Sequence, residues 1–161
     1  MMKPLFNLRP ATNADCQAVQ DLVFAVLAEY GLSPDPESTD RDLFDLDGFY
    51  FVQGGYFGVV EQAQRIVATL GLLRLDQNVC ELRKMYALPE LRGQGLGRFL
   101  LNAAITKARH WGCSRMVLET ASVLTEAVTL YQGYGFRQYH PPEISCRCDM
   151  AMTLDLDHAP G

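Results

Sequence analysis

The chain has 161 residues, 19 Asp and Glu against 14 Lys and Arg for a formal net charge of −5, 48% hydrophobic residues and a mean hydropathy of −0.02. At this length a domain buries roughly 70% of the surface of its unfolded chain, so a core forms without staples, and the composition fits neither a disordered nor a membrane-embedded chain. The negative net charge excludes nucleic-acid binding by bulk electrostatics. Five cysteines, at 16, 80, 113, 146 and 148, form neither a disulfide framework nor a paired zinc motif. No apolar run is long enough to span a bilayer. Residues 1–10 lack the apolar stretch of a signal peptide and carry prolines that would interrupt one, which predicts a cytoplasmic protein with one domain over residues 1–161.

Residues 5–8 read as a short apolar strand, broken at Arg9-Pro10-Ala11-Thr12-Asn13. Val19, Leu22, Val23, Val26, Leu27 and Tyr30 then recur at helical spacing, which predicts a helix over 13–30 ended by Gly31. Residues 33–47 carry six acids and two prolines and are expected as a loop plus a short helix over 39–46, capped by Ser38 or Thr39. Runs rich in β-branched and aromatic residues predict strands over 56–61 and 66–75 about a polar turn, and another over 79–88 after Asp76-Gln77-Asn78. Leu96, Phe99, Leu100, Ala103, Ala104, Ala108 and Trp111 place a long amphipathic helix over 95–111, closed by Gly112. The remainder reads as a buried strand over 115–120, a helix over 124–134, and strands over 136–139 and 148–156 parted by Pro141-Pro142. This order predicts an α/β (α+β) sheet with helices on both faces.

Charge is unevenly spread along these elements. Residues 1–50 hold nine acids and three bases, whereas residues 65–115 hold nine bases and three acids. A basic middle in an acidic chain is either a solvated face or a local site for a compact polyanion. Within it, Leu91-Arg92-Gly93-Gln94-Gly95-Leu96-Gly97-Arg98 stands between a strand and the amphipathic helix. Its three glycines let successive N–H groups, from Gly93 and Gln94 through Gly95, Leu96 and Gly97 to Arg98, point into one concavity at the positive end of the helix dipole. Such a nest suits a pyrophosphate. Arg98-Phe99 stands where a P-loop needs Lys-Ser/Thr, and residue 98 should be the third glycine of a dinucleotide fingerprint. The octapeptide also reads as a plain turn before a helix.

Arg92-x-x-Gly95-x-Gly97 resembles the pyrophosphate-binding motif of the GNAT superfamily, the acyl-CoA-dependent N-acetyltransferases. The run Glu81-Leu82-Arg83-Lys84-Met85-Tyr86-Ala87-Leu88-Pro89 is similar to that superfamily's central fourth strand, and Ala127-x-x-Leu130-Tyr131-x-x-x-Gly135-Phe136 to its second signature. Arg9-Pro10-Ala11-Thr12-x-x-Asp15 is similar to its exit from the first strand, so the elements follow the family's order along nearly the whole chain. The resemblance implies a GNAT fold, a mixed and mostly antiparallel sheet splayed by a bulge at the fourth strand. It implies acetyl-CoA as cosubstrate and no metal, with the pyrophosphate on Arg92 and the loop amides. The pantetheine would pair with backbone groups of Met85 and Ala87, the Met85 N–H donating to the thioester carbonyl.

The implied reaction is acetyl transfer to a primary amine by direct attack in a ternary complex, which needs a base for the protonated amine. Glu81 stands where several family members carry a glutamate base, and burial beside Val79, Cys80 and Leu82 would make it more basic; the other reading is a surface Glu paired with Arg83. Glu119 is a second candidate base, or a strand-end carboxylate binding local N–H groups. Tyr131 stands where the family's tyrosine protonates the leaving thiolate, and it also occupies a helical core position with Leu124, Ala127 and Val128. Leu124 replaces an Asn common in the family, which removes one side-chain contact to the cofactor. Cys80 and Cys113 have no His beside them in sequence, and His110, His140 and His158 suggest neither a metal nor a triad.

For the acceptor, Asp35, Glu37, Asp40, Asp42, Asp45 and Asp47 stand against Arg41 alone. Either they form a wall favouring a positively charged small-molecule amine, such as a polyamine or amino sugar, or they cap a helix and solubilise a loop. A protein N-terminus or lysine as acceptor, and a non-catalytic acyl-CoA-binding module, stay open as alternatives. No nucleic-acid or membrane partner is expected, and a homodimer is compatible with the sequence.

Overall fold

A computed structural model describes residues 6–157; Leu5 and His158 lie outside the described residues. Its strands are β1 (Leu8–Pro10), β2 (Tyr56–Gln62), β3 (Arg65–Arg74), β4 (Val79–Ala87), β5 (Arg115–Thr120), β6 (Arg137–Tyr139) and β7 (Met150–Asp155), and its helices α1 (Cys16–Glu29), α2 (Leu96–His110) and α3 (Thr125–Gly133). The strands form one sheet in the order β1-β2-β3-β4-β5-β7-β6. Its pairs are antiparallel except β4 and β5, which run parallel with α2 as the crossover between them. Residues 66–72 of β3 are buried without a break, so both faces of the sheet are covered at its centre. Among the described residues, no helix is long and apolar enough to cross a membrane.

The start of the chain shows how local chemistry sets these elements. The first strand lies at Leu8–Pro10 rather than 5–8, and as the sheet's edge it tolerates a proline with no N–H to give. Thr12 accepts from the Ala14 N–H at 3.2 Å and Asp15 from the Thr12 N–H at 2.9 Å, a capping box that starts the helical turn leading into α1. Arg9 holds both oxygens of Asp15, at 2.9 and 3.0 Å. The Arg9…Asp15 run thus fixes how the chain leaves β1. Beyond it α1 buries Val19, Leu22, Val23, Val26 and Leu27 and packs on β3 and β4. Each such side chain contributes about 1.5–3 kcal/mol relative to exposure.

The helix expected over 39–46 does not form. A short 3-10 turn, Arg41–Phe44, and a π-helical turn, Asp47–Phe51, stand there instead, and the expected side-chain cap is absent. Asp40 and Asp42 are buried, so this segment is shaped by ionic anchors beneath it rather than by a helical apolar stripe.

The centre of the sheet carries its main irregularity. Thr69 faces Tyr86 and Gly71 faces Arg83, so three steps of β4 oppose two of β3. Lys84, at φ 51°, takes up the extra residue, and the Thr69 hydroxyl donates to the Lys84 carbonyl at 2.7 Å. Pairing of β4 with β5 stops at Leu82 and Leu118, while β5 continues along β7 as far as Thr120 and Met150. The two parallel strands therefore part, leaving the β5-facing edge of β4 unpaired from Arg83 onward.

Candidate active site

The opening between β4 and β5 is a cleft of ≈ 300 Å³. It lies at the carboxyl ends of a parallel pair, where open sheets hold ligands. Met85 and Ala87 line it along the unpaired edge of β4, Arg92, Gly93, Gly95, Leu96, Gly97 and Arg98 line it at the head of α2, and Tyr131 of α3 lines it from across. Gly93 and Gly95 have φ of 78° and 83°, and a Cβ on either would meet nothing within 4 Å, so the hollow above them is open. Gly95 caps α2, whose first backbone bond runs from the Phe99 N–H to the Gly95 carbonyl at 3.0 Å. The N–H groups of Leu96, Gly97 and Arg98 are left without helical acceptors, at the positive end of the dipole. At Gly97 a Cβ would stand 3.0 Å from Leu130 Cδ2, so that glycine lets α2 approach α3. A diphosphate fits this donor set by charge and by space.

Arg92 is already engaged. Its guanidinium binds both oxygens of Glu29 at the end of α1, donates to the Ala87 carbonyl at 3.1 Å and lies 5.5 Å from the centre of the Tyr30 ring. It ties α1 and β4 together at the rim of the cleft. Gln94 does not line the cleft, and its amide donates to the Glu90 carbonyl at 3.1 Å.

A second cleft, of ≈ 460 Å³, adjoins the first where the strands part and shares Leu82, Arg83, Lys84, Tyr86, Glu119, Arg147 and Cys148 with it. Glu81 lines this second cleft only. Burial raises its carboxyl above the usual range, Arg83 pulls it back and the charge of Glu119 adds to the rise. Glu119 accepts from the Ser145 N–H at 2.8 Å and the Ser145 hydroxyl at 2.9 Å, donors 26 residues on in the chain rather than the N–H groups of its own strand end, and it stands where the two clefts join. Tyr131 is 5% exposed and packs on Phe136 with ring centres 5.5 Å apart. Burial, with a smaller effect of Tyr86, raises its hydroxyl above the ordinary range, so the proton stays on at neutral pH.

The roof of the second cleft is a buried ionic cluster. Arg147 binds both oxygens of Asp40, at 2.6 and 2.7 Å, and the Ser33 carbonyl at 3.3 Å. Lys84 Nζ lies 3.3 Å from Asp40 and 3.2 Å from Asp42 and donates to the Thr39 carbonyl at 2.9 Å, while Tyr50 donates to Asp42. Burial pushes the Asp40 carboxyl up, but Arg147, the Asp35 N–H and Lys84 together bring it below the usual carboxylate range. Of the six acids expected as a wall over 35–47, Asp40 and Asp42 are turned inward, Asp35 is half-buried, and Glu37, Asp45 and Asp47 are exposed. Asp35 holds Thr39, Asp45 holds Asn13 and the Gly48 N–H, and none of the six acids lines either cleft.

Lys84, Arg147 and Cys148 were not singled out as site residues by their sequence context; a bulge and two residues of a late loop bring them to the junction. Cys80 and Cys113 are buried and line neither cleft. Burial raises the Cys148 thiol, which favours its protonated form. Among the described residues, no group of three or more His, Cys, Asp or Glu is placed to hold a metal ion.

Residues 21–136 match the Acetyltransferase (GNAT) family. An uncharacterized N-acetyltransferase of Escherichia coli (strain K12), YjgM, is 38% identical over 158 residues, which cover 92% of this chain and 94% of that protein. Among solved structures, an acetyltransferase of the GNAT family from Staphylococcus aureus Mu50 is similar with a TM-score of 0.87 at 23% identity, covering 94% of this chain and 99% of that one. The structure of yncA from Salmonella typhimurium with its cofactor acetyl-CoA is similar with a TM-score of 0.72 at 21% identity, covering 96% of each chain. With its family match, its relative along almost the whole length and its splayed sheet, the chain belongs to the GNAT acetyltransferase family.

Proposed function

We propose that the chain, as one N-acetyltransferase domain over residues 1–161, transfers the acetyl group of acetyl-CoA to a primary amine by direct attack while both substrates are bound. The observation that carries this reading is the junction of the two clefts where β4 and β5 part, because a donor in one and an acceptor in the other meet there without a covalent relay. Acetyl-CoA supplies an acetyl group activated as a thioester. The amides of Gly93 and of residues 95–98 receive its pyrophosphate, and Met85 and Ala87 on the free edge of β4 receive its extended arm as a further strand would be received. The Met85 N–H is the donor that stabilises negative charge on the carbonyl oxygen. Glu81 takes a proton from the amine and Tyr131 gives one to the sulfur. Burial disfavours a bare thiolate beside Tyr131 as it disfavours the tyrosinate, which supports the transfer.

Arg92→Ala is expected to weaken acetyl-CoA binding by about 1.5–3 kcal/mol, either through a lost charge-assisted bond to the ligand or through a loop released from Glu29 and Ala87. Gly95→Val should weaken it further, since a β-branched residue is strained at φ 83° and would shift the loop amides that form the nest. Isothermal titration with acetyl-CoA checks both, and unchanged affinity in both variants would remove the nest from the assignment.

The pH profile tests the base. The raised carboxyl of Glu81 loses its basic form at a higher pH than an exposed Glu as the solution is acidified. Glu81→Gln should therefore lower kcat/KM most in mildly acidic and neutral solution and least in alkaline solution, where the amine sheds its own proton. A loss of equal size at every pH would make Glu81 a partner of Arg83 rather than the base.

A further inference from the structure

Two of the three cations at the acceptor cleft are matched by buried carboxylates, Arg147 by hydrogen bonds to both oxygens of Asp40 and to the Ser33 carbonyl, and Lys84 by ion pairs with Asp40 and Asp42 beside its hydrogen bond to the Thr39 carbonyl. Arg83 differs. Among the described residues it makes one hydrogen bond, from NH2 to the Thr39 carbonyl at 3.0 Å. Its Nε stands 3.8 Å from an Asp42 oxygen that already accepts from Tyr50, and its NH1 stands 3.5 Å from Glu81 Oε1, both long for hydrogen bonds. The guanidinium is nevertheless fixed, 5.4 Å from the centre of the Phe49 ring and with 23% of the side chain exposed. A rigid, half-buried guanidinium with open N–H groups on a polar cleft suits a planar anion that accepts two bonds at once.

Glu81 stands beside it on the same wall, with no described donor in hydrogen-bonding geometry. A cationic and an anionic group 3.5 Å apart are complementary to an anion and a cation at a similar separation. An ammonium and a carboxylate on a single carbon, about 3 Å apart by covalent geometry, meet that requirement. A long polyamine, an amino sugar, a lysine side chain and a protein N-terminus do not, because none carries a carboxylate next to its amine. None of the six acids at 35–47 lines this cleft, so none of them opposes a ligand carboxylate at Arg83 directly.

We propose that the second cleft recognises a free α-amino acid, with its α-carboxylate on the open N–H groups of Arg83 and its α-amine on Glu81; this deepens, and rests on, the acetyltransferase reading. The acceptor nitrogen gains the acetyl carbon as the carbon–sulfur bond breaks. Of the two protons the ammonium loses, one passes through Glu81 to solvent; the sulfur takes its proton from Tyr131, and the second ammonium proton restores the Tyr131 hydroxyl, so that one proton is released per turnover. The remaining space, toward Glu143, Ile144 and Ser145, holds the amino-acid side chain.

Two measurements test the assignment. The first is thiol release from acetyl-CoA with the free amino acids, each paired with its carboxamide and its decarboxylated amine. The second is isothermal titration of CoA-saturated protein with N-acetyl amino acids and their carboxamides, which reads the cleft without requiring turnover. At least one free amino acid is expected to exceed both of its paired analogues by about tenfold or more in kcat/KM, and its N-acetyl form to bind tighter than the N-acetyl carboxamide by a similar factor. Arg83→Gln should shrink these ratios to about threefold or less, with Arg83→Lys between, so that one folded variant suffices. Carboxamides or decarboxylated amines used as well as the acids, discrimination unchanged in Arg83→Gln, or no binding by any N-acetyl amino acid would overturn the proposal. Thiol release confined to amines without a carboxylate would remove the amino-acid site and keep the acetyltransferase. Carboxylate-selective binding with no thiol release from any amine would do the reverse.

Discussion

Tyr131→Phe is expected to lower kcat by about 10²–10⁴-fold with the KM for acetyl-CoA nearly constant. The substitution keeps the ring that packs on Phe136 and removes only the hydroxyl, which makes no hydrogen bond with another described residue and belongs to a side chain lining the first cleft. Because burial holds its proton on, the hydroxyl can serve the proposed reaction only as an acid at any pH near neutral. Steady-state kinetics on the purified variant, with its melting temperature as a control for packing, separate the roles. Full turnover in Tyr131→Phe would make this residue part of the core and assign protonation of the sulfur to water or another acid.

Asp40→Asn should destabilise the fold by about 3–5 kcal/mol, because it keeps the shape of the side chain but leaves Arg147 and part of Lys84 as buried cations without their counter-charge. The carboxyl of Asp40 is fully buried and lies below the usual range in the folded chain. Its stabilisation is then complete above the ordinary Asp value and lost only as the pH falls through the lower folded value. The difference between wild type and variant should hold from neutral pH down to the ordinary Asp range and close below it. Urea unfolding with an unchanged m-value measures this directly. A difference under about 1 kcal/mol at neutral pH would mean that the cluster behaves as a solvated one. Since Arg147 and Lys84 also line both clefts, the KM for the acceptor should rise in the same variant.

What the sequence revealed depended on the range over which each signal acts. The amphipathic repeat and the glycines place α2 and its loop within a residue of where they are found, and β5 has the bounds its apolar run suggests. Those features are local, written in a few consecutive side chains. The helix expected over 39–46 failed because its acids looked like caps, whereas their charge is neutralised by residues distant in sequence. Asp40 and Arg147 are 107 positions apart, and no local pattern records such a pair. The bulge at Lys84 is equally silent, since only pairing with β3 shows that β4 holds one residue too many. Met85, Ala87, Tyr131 and most of the glycine loop line the first cleft, and Glu81 the second. The engagement of Arg92 by Glu29 was not legible, because a motif states which residue is present and not which neighbour reaches it first.

The most direct test of an amine acetyltransferase built at this junction is a thiol-release assay with acetyl-CoA over a broad amine panel, with the acceptor products weighed by mass spectrometry. Expected is one N-acetylated amine for each coenzyme thiol released, at a rate that depends on the amine. Tight binding of acetyl-CoA with no thiol release above spontaneous hydrolysis for any amine would contradict it and leave a coenzyme-binding module without turnover.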